Sequence, residues 1–339
     1  MAKIAVIGAG SWGTALAHAL ANTGHDVRLW AYETEVVVSI RERRKNDVFL
    51  PGIVLPDNIT PSNDLSFALD HAECALTVMP SHVCRSISER MLPYLTPDML
   101  LVSATKGIDV ERHMRMSQII QSVVNKKFSP HIVVLSGPSF AKEVAGGDPT
   151  ALVAASEDAN SARWVQEKFS GKTLRLYTSD DVIGVETGGA VKNVIAIAAG
   201  IIKGLELGHN PMAALITRGL AEIARLAAAL GARRETMAGL AGIGDLVLTC
   251  TGALSRNRSV GVEIGKGRKT AEILAEMREV AEGIKTTYAT VELAMELGVE
   301  MPITEQVRRI LNDEIQPRDA IRELMDRSLK NEYDKGSKF

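Results

Sequence analysis

Short apolar runs alternate with helical patterns along the first half of the chain. Six of these runs predict buried strands, at 3–8, 25–31, 75–80, 100–106, 131–137 and 150–156. Between the first two runs, Trp12, Leu16 and Leu20 recur at helical spacing, and Gly24 follows as a stop signal. Because parallel strands covered on both faces are continuously apolar, this alternation predicts a doubly wound, mostly parallel sheet.

After about Asp181 the strand pattern stops and helical patterns continue alone. The segment 210–231 predicts a helix that is capped by Asn210, has Pro211 at its first position and ends at Gly231. Helical patterns also cover 188–200 and stretches near 271–279, 284–297, 303–312 and 317–330. The sequence therefore predicts an α/β N-terminal domain over residues 1–181 and an all-helical C-terminal domain over residues 182–339.

A glycine-rich segment, GAGSWG at 8–13, follows the first predicted strand and opens the first predicted helix. In the pattern G-x-G-x-x-G, Gly8 permits a tight turn, Gly10 lets the backbone approach a pyrophosphate, and Gly13 allows close packing of helix on strand. The amides of Ser11 and Trp12 then face the diphosphate at the positive end of the helix. This context predicts a dinucleotide site in a Rossmann-type sheet.

The end of the second predicted strand bears on which dinucleotide is used. Tyr32 and Glu33 follow it, so no acidic residue stands at the strand end itself to hold a ribose 2′-hydroxyl. No arginine stands there to meet a 2′-phosphate either, and Arg41, Arg43 and Arg44 fit a solvated helix face. We therefore expect the protein to use both NADP and NAD.

Two later strand ends carry further polar groups. Lys106 lies at the end of the run 100–106, just past LLVSA, and Gly137, Ser139 and Phe140 follow the run at 131–137. Ligands of open parallel sheets bind beyond the carboxyl ends of the strands, in one crevice. The sequence therefore predicts that these two ends contribute to a single site.

Lys192 lies within GGAVKNVIAIAAG, an apolar helical pattern over residues 188–200, next to Asn193. On a helix it shares a face with Gly188, Ala196 and Ala199, which are all small. A lysine that snorkels to water usually has polar neighbours instead. The pattern therefore predicts an ammonium at the floor of a cleft.

The segment 239–261 contains candidate partners for this lysine. If residues 245–249 are helical, Asp245 and Thr249 share a face, and Asp245 can orient Lys192 or hold a substrate hydroxyl. A hydroxyl, a guanidinium and an amide that suit a phosphate follow at Ser255, Arg256 and Asn257. A polar loop with ordinary helix caps is the alternative interpretation of these three residues.

Composition narrows the function classes. The 39 Lys+Arg against 41 Asp+Glu give a net charge of −2, which indicates no nucleic-acid partner. Cys74, Cys84 and Cys250 have no metal-ligand spacing and are expected to be buried and reduced, and His82 is expected to be structural. We therefore expect no metal site. No apolar run approaches the roughly 18 residues of a membrane span, so we also expect no membrane insertion and a cytoplasmic location.

Eight segments between about residues 3 and 310 resemble, in order, the bacterial NAD(P)-dependent glycerol-3-phosphate dehydrogenase family. They are GAGSWGTALA, MPSHV, SATKGI, SGPSFAKE, GGAVKNVIAIAAG, ITRGLAE, GLAGIGDLVLTCTGALSRN and VAEG. The resemblance implies hydride transfer between NAD(P)H and dihydroxyacetone phosphate, which yields sn-glycerol 3-phosphate for phospholipid synthesis. A homodimer through the helical domain is also expected, because residues 212–230 are apolar over a wide arc.

The resemblance also implies roles for individual residues. The catalytic set is Lys192, Lys106 and Asp245. The cofactor set is Gly8, Gly10, Ser11, Trp12, Gly13, Tyr32, Lys106, Ala141, Arg256, Val280 and Glu282. The substrate set is Lys106, Gly137, Ser139, Lys192, Asn193, Asp245, Thr249, Ser255, Arg256 and Asn257. The chain departs from many relatives at Ser139, where they carry Thr, and at Tyr32 and Glu33, where they carry His or Arg.

Two other classes of protein remain as alternatives. A dehydrogenase of a 3-hydroxy acid or a sugar acid has the same two-domain plan, but such enzymes tend to have an asparagine one turn after the lysine, where this chain has Ala196. A non-catalytic dinucleotide sensor needs the glycine-rich turn but not Lys106, Lys192 and Asp245 together.

The expected mechanism of the dehydrogenase is donation of a proton by Lys192 to the carbonyl oxygen of the substrate. Burial and the neighbouring charge of Lys106 are expected to lower the pKa of Lys192.

Overall fold

One eight-stranded sheet occupies the first half of the chain in the computed structural model, which describes residues 1–277, 281–329 and 331–332. Its strands are β1 Lys3–Ile7, β2 Asp26–Trp30, β3 Ile59–Ser62, β4 Cys74–Thr77, β5 Leu100–Ser103, β6 Ile132–Ser136, β7 Thr150–Ala155 and β8 Leu174–Ser179. The order across the sheet is β3-β2-β1-β4-β5-β6-β7-β8. The chain therefore reverses direction across the sheet between β1 and β4, where a crevice opens at the strand ends.

Helices cover both faces of this sheet. In β1, Ile4 and Val6 join one apolar cluster while Ala5 and Ile7 join another on the opposite face. The covering helices are α1 Ser11–Asn22, α2 Thr34–Arg43, α3 Leu65–Leu69, α4 Cys84–Met91, α5 Met116–Val124, α6 Ala141–Gly146 and α7 Ala159–Phe169. This confirms the doubly wound, mostly parallel architecture; β7 runs antiparallel to β6, and the other neighbouring pairs are parallel.

Two strands were not expected from the sequence. β3 is a four-residue edge strand that contains Pro61, and β8 alternates between buried and exposed positions. Both lie at the ends of the sheet, where a strand has one neighbour and one free edge, so neither needs the continuous apolar run that identified the others.

The second half of the chain is helical in every element that the structure describes. The helices are α8 Val182–Gly204, α9 His209–Ala229, α10 Asp245–Thr251, α11 Arg256–Gly265, α12 Thr270–Glu276, α13 Glu282–Glu296, α14 Pro302–Leu311 and α15 Pro317–Met325. Asn210 and Pro211 were wrongly assigned, because Gly208 occupies the N-cap position of α9 and no side chain caps this helix. Gly231 has φ of +96° just after the end of α9, as its predicted role as a stop requires.

Helix α8 is the centre of the helical half. Val191, Val194 and Ile195 are fully buried in its core cluster. By length and composition α8 could cross a membrane, but the stretch that meets this test is entirely enclosed by the rest of the chain. The three cysteines are free and buried, as expected, and burial raises the pKa of each thiol.

Glycines allow α11 to pack directly on α8, and they also make its helical pattern hard to recognise in the sequence. A Cβ on Gly261 would lie 2.0 Å from the carbonyl oxygen of Ile197, and a Cβ on Gly200 would lie 2.0 Å from that of Arg258. Glycine weakens a helical pattern, so the sequence did not predict a helix in this segment. At the start of α11, Asn257 lies near Asn193 of α8, because a Cβ on Gly283 would be 2.8 Å from Asn257 Oδ1 and 2.7 Å from the Asn193 carbonyl oxygen.

Candidate active site

The glycine-rich turn joins β1 to α1 at the carboxyl edge of the sheet. Gly8 has φ of +120°, and a Cβ there would lie 2.4 Å from the carbonyl oxygen of Val78, just beyond β4. A Cβ on Gly13 would lie 1.9 Å from the carbonyl oxygen of Gly8, so α1 packs directly on the turn. Among the described residues other than its chain neighbours, Gly10 by contrast has no atom within 4 Å of the place where its Cβ would be.

The amino terminus of α1 is suited to a diphosphate. Gly10 is its N-cap residue, and no side chain accepts a hydrogen bond from the first turn. The amides of Ser11 and Trp12 therefore remain available at the positive end of the helix dipole. With the open space in front of Gly10, these residues fit the pyrophosphate of a dinucleotide.

Asn46 is a part of this turn that the sequence did not indicate. Its side-chain amide donates to the carbonyl oxygen of Ala9 and to the hydroxyl of Thr14, both at 2.8 Å, and its own oxygen accepts from the Phe49 amide. Asn46 is fully buried, and it fixes the turn from the segment that follows α2. No local pattern marks Asn46, because its partners lie more than 30 residues earlier in the chain.

At the end of β2, Tyr32 and Glu33 lead into α2. The Tyr32 side chain is 73% exposed, and Glu33 is the N-cap residue of α2 without forming a capping hydrogen bond. Arg41 and Arg43 lie on the exposed side of this helix, as expected for a solvated face. The expectation was wrong for Arg44, which is half-buried at the end of α2 and donates to the carbonyl oxygens of Leu55 and Ile59. The end of β2 thus presents an open surface with one carboxylate at its rim.

Lys192 is buried, and two hydrogen-bond partners hold its ammonium group. Only 7% of the residue is exposed, and its ammonium donates to Asp245 Oδ1 at 2.5 Å and to Thr249 Oγ1 at 2.9 Å. Thr249 Oγ1 in turn donates to the Asp245 carbonyl oxygen at 2.6 Å, which directs its lone pairs toward the ammonium. α10 therefore does bring Asp245 and Thr249 onto one face, as predicted.

Lys106 completes the cluster from the other domain. Its ammonium contacts Asp245 Oδ2 at 2.9 Å and lies 3.4 Å from the Gly137 carbonyl oxygen, at the end of the neighbouring strand β6. The fully buried Asp245 carboxylate thus bridges two ammonium groups. The ends of β5 and β6 converge with α8 and α10 on this point.

The close approach of these elements depends on glycines in α8. A Cβ on Gly188 would lie 2.4 Å from the carbonyl oxygen of Ala241, in the turn that leads into α10. A Cβ on Gly189 would lie 2.4 Å from Ser136 Oγ, at the end of β6, and 4.0 Å from the Lys106 side chain. Small residues around Lys192 therefore admit both Asp245 and Lys106.

Burial and charge set the protonation of the cluster. Burial lowers the pKa of Lys192 to about 8, against the attraction of Asp245 and with a further lowering by Lys106. Burial alone would raise the pKa of Asp245, but the attraction and hydrogen bonds of the two lysines outweigh it and hold that pKa below its usual value. Asp245 is therefore ionised near neutral pH, while Lys192 can change protonation state close to it.

The segment after β6 has the expected location but little unpaired polarity. Gly137 has φ of +140°, and the Ser139 hydroxyl donates to the Gly137 carbonyl oxygen at 3.0 Å. Ala141 begins α6 and is half-buried, and the Phe140 ring packs against Gly252 near the end of α10.

Ser255 and Asn257, two of the candidate phosphate residues, form hydrogen bonds within the helical half. The Ser255 hydroxyl caps α11 by accepting from the Arg258 amide, and Asn257 Oδ1 accepts from the Gly283 amide at 2.9 Å. Ser255 is therefore a helix cap, the feature that the alternative interpretation expected. Arg256 is exposed at the first position of α11.

Glu282, at the start of α13, reaches the strand ends of the first domain. Its carboxylate accepts from the Ser81 amide at 3.2 Å and from the Ser81 hydroxyl at 2.5 Å. Gly107 lies beside this pair, since a Cβ there would be 2.6 Å from Ser81 Cβ. Val280, the other late residue of the expected cofactor set, lies outside the described residues.

A separate open groove of about 1140 Å³ lies at the amino-terminal edge of the sheet. Glu73, Leu100 and His131 line it, and they lie at or just before the first residues of β4, β5 and β6. The lysine cluster lies at the opposite edge, so this groove plays no part in the chemistry described above.

The sheet, the glycine-rich turn and the buried lysine cluster define the class of dinucleotide-dependent oxidoreductases with a helical second domain. Family models described as NAD-dependent glycerol-3-phosphate dehydrogenase N-terminus and C-terminus match residues 3–162 and 181–322. The chain belongs to the NAD(P)-dependent glycerol-3-phosphate dehydrogenase family.

Individual relatives agree with this family. Glycerol-3-phosphate dehydrogenase, NAD(P)+, of Koribacter versatilis is 60% identical over 98% of this chain and 99% of its own length. The enzyme of the same name from Citrifermentans bemidjiense is 54% identical over 97% of this chain and 98% of its own length. The crystal structure of glycerol-3-phosphate dehydrogenase from Coxiella burnetii is 40% identical, covers 96% of this chain and 99% of its own, and superposes with a TM-score of 0.92.

Proposed function

We propose that this protein reduces dihydroxyacetone phosphate reversibly to sn-glycerol 3-phosphate with NAD(P)H. The observation that carries the proposal is the buried Lys192 ammonium, held by Asp245 and Thr249 at the sheet edge that also bears the glycine-rich turn. Family membership supports the substrate class, since the matched relatives are named for glycerol 3-phosphate.

Lys192 is the proton donor of the proposed reaction. When bound, the dinucleotide supplies the hydride to the carbonyl carbon of the substrate. Negative charge then develops on the carbonyl oxygen, to which Lys192 Nζ donates a proton; in the reverse direction, neutral Lys192 accepts the hydroxyl proton. A pKa of about 8 suits both directions near neutral pH.

The remaining cluster residues orient the substrate. Lys106 and Asp245 hold its oxygen atoms with Thr249, Asn193, Gly137 and Ser139 around them, and Ser255, Arg256 and Asn257 surround its phosphate. Arg256 supplies the positive charge of this set, because the side chains of Ser255 and Asn257 are neutral.

The cofactor extends from the glycine-rich turn to the lysine cluster in this proposal. The residues that would hold it are Gly8, Gly10, Ser11, Trp12, Gly13, Tyr32, Lys106, Ala141, Arg256, Val280 and Glu282. We propose that both NADP and NAD bind, and that Glu282 exchanges its Ser81 hydrogen bonds for the nicotinamide end.

We also propose the domain boundary, the cellular location, the assembly and the metabolic role of the enzyme. The chain divides into domains at residues 181 and 182, acts in the cytoplasm as a homodimer joined through its helical half, and supplies glycerol 3-phosphate for phospholipid synthesis. Its net charge of −2 accords with a small-molecule substrate rather than a nucleic acid.

A substrate comparison tests this function. We expect the purified protein to oxidise NADH and NADPH, followed by absorbance, when dihydroxyacetone phosphate is added, and we expect unphosphorylated dihydroxyacetone to be a much poorer substrate. Keto forms of 3-hydroxy acids and of sugar acids serve as competing candidates. Turnover of one of these in place of the triose phosphate, or no turnover of any, would contradict the proposal.

Gly10→Ala should separate cofactor binding from folding. A Cβ at this position meets no atom of another described residue, chain neighbours aside, within 4 Å, so we expect an unchanged melting temperature. The same methyl group would project into the space proposed for the pyrophosphate, so the Kd for NADH should rise about tenfold or more, as loss of a good charge-assisted contact does. Fluorescence titration with NADH measures this, and Gly208→Ala is the matched control, because Gly208 is the N-cap residue of α9, has a similar extended backbone and has open space at its Cβ position.

A further inference from the structure

A buried carboxylate outside the lysine cluster connects the catalytic helix to the segment that carries Lys106. Glu186 lies in α8, six residues before Lys192, and only 8% of it is exposed. Its partners lie at the start of α5: Oε1 accepts from the Ser117 amide at 2.8 Å, and Oε2 accepts from the Ser117 hydroxyl and from Arg115 Nη1, both at 2.5 Å.

Glu186 supplies a charge that α5 lacks. The N-cap residue of α5 is Arg115, and no acidic residue occurs in its first turn. A carboxylate from α8 therefore meets both the positive end of the α5 dipole and a guanidinium. Because burying an unpaired carboxylate is costly, this contact holds α5 and α8 in one relative placement.

The contact between Glu186 and the start of α5 also constrains the position of Lys106, because the backbone of one loop joins them. The loop between β5 and α5 closes on itself, because Ile108 pairs with Arg115 and the Asp109 amide donates to the Met114 carbonyl oxygen at 2.9 Å. Lys106 lies two residues before this pairing. On α8, Gly189 is three residues after Glu186 and faces the Lys106 side chain, so one stripe of the helix contacts both ends of the loop.

We propose that Glu186 is a positioning residue that fixes the Lys106 loop against α8 and thereby places the Lys106 ammonium on Asp245. This inference rests on the proposed function, in which Lys106 holds the substrate. Among the residues that the structure describes, Glu186 makes no direct contact with the lysine cluster, which consists of Lys192, Lys106, Asp245 and Thr249.

The Glu186→Gln variant tests the inference. Glutamine keeps the shape and an acceptor for the Ser117 amide but presents an N–H group or a neutral oxygen to Arg115, so the loop loses its charged anchor. We expect KM for dihydroxyacetone phosphate to rise about tenfold or more, in line with the cost of misplacing a binding group, with the Kd for NADH unchanged. Arg115→Met removes the same anchor from the other side and should give the same result.

The pH profile distinguishes positioning from general destabilisation. Lys106 contributes to the lowered pKa of Lys192, so displacing Lys106 should let that pKa rise above about 8. Ketone reduction requires protonated Lys192, and its alkaline limb should therefore move to higher pH in Glu186→Gln. An alkaline limb and a KM both unchanged from the wild type would overturn the inference.

Glu222 offers a matched control on α9. It is also a buried carboxylate, 1% exposed, that accepts from backbone amides at the start of a helix, here those of Ile303 and Thr304 on α14. Glu222→Gln should lower the melting temperature without changing KM or the pH profile. A KM increase of the same size in Glu222→Gln would show that loss of stability alone explains the effect.

Combining Glu186→Gln with Lys106→Ala separates the inference from the proposed function. If Glu186 acts through Lys106, the double variant should have the KM of Lys106→Ala within about threefold, because the two changes remove one interaction. Full additivity would contradict the positioning role. A normal KM in Lys106→Ala alone would instead contradict the proposed role of Lys106, and the shift of the alkaline limb would still decide the inference.

Discussion

Replacing Lys192 with alanine is expected to abolish most turnover while leaving the cofactor bound. General acid catalysis by a positioned side chain contributes about 10²–10⁴-fold, and kcat for reduction of dihydroxyacetone phosphate should fall by that factor. Asp245 keeps Lys106 as a partner at 2.9 Å, so the variant does not leave a buried carboxylate without any counter-charge. Steady-state assays at saturating substrate measure kcat, and fluorescence titration measures the Kd for NADH.

Lys203→Ala is the matched control for this variant. Lys203 lies on the same helix, α8, but is exposed, so losing its charge should change neither kcat nor Kd. If Lys192→Ala kept a kcat within a few fold of the wild type, the proton donor would have to be another group. A kcat loss accompanied by failure to bind NADH would indicate a misfolded site instead.

The parts of this site that sequence patterns predicted are those governed by local geometry. The glycine spacing at 8–13 specifies a strand–turn–helix junction by itself, and the turn has the predicted form. The helical period was sufficient to predict that Lys192 has small neighbours and that Asp245 and Thr249 share one face of a helix. The period of 3.6 residues carries this information without knowledge of any distant contact.

The parts that sequence patterns did not predict depend on pairs of residues far apart in the chain. Ser81 and Glu282 are 201 residues apart, and Ser117 and Glu186 are 69 apart. Each of these residues is ordinary in its own segment, and only the fold makes the pair. The same reason hid the role of Asn46, whose side-chain partners belong to the turn at Ala9 and Thr14.

Helix α11 illustrates a related limit. Its glycines, Gly261 and Gly265, lower the intrinsic helical tendency of the segment, yet they are what allows it to lie against Gly200 and Gly204 of α8. Packing therefore stabilises a helix that propensity disfavours. That packing sets where the start of α11 lies, and Ser255 caps the helix there by accepting from the Arg258 amide.

Replacing Asp245 with asparagine is expected to damage both stability and catalysis, because one buried carboxylate offsets two ammonium groups. Removing one partner from a buried ion pair costs about 3–5 kcal/mol, so the free energy of unfolding should fall by a similar amount at neutral pH. Chemical denaturation measures this loss. Asp180→Asn is the control, since it breaks an exposed ion pair with Arg233 and should leave stability nearly unchanged.

The effect of Asp245→Asn on the pH profile has a definite sign. The attraction of Asp245 raises the pKa of Lys192, whereas burial and Lys106 lower it. Without the carboxylate the pKa should fall below about 8, so the alkaline limb of ketone reduction should move to lower pH. The direction is opposite to that expected for Glu186→Gln, because one change removes the counter-charge of Lys192 and the other displaces a neighbouring cation. A limb that moved to higher pH in Asp245→Asn would mean that the titrating group is not Lys192.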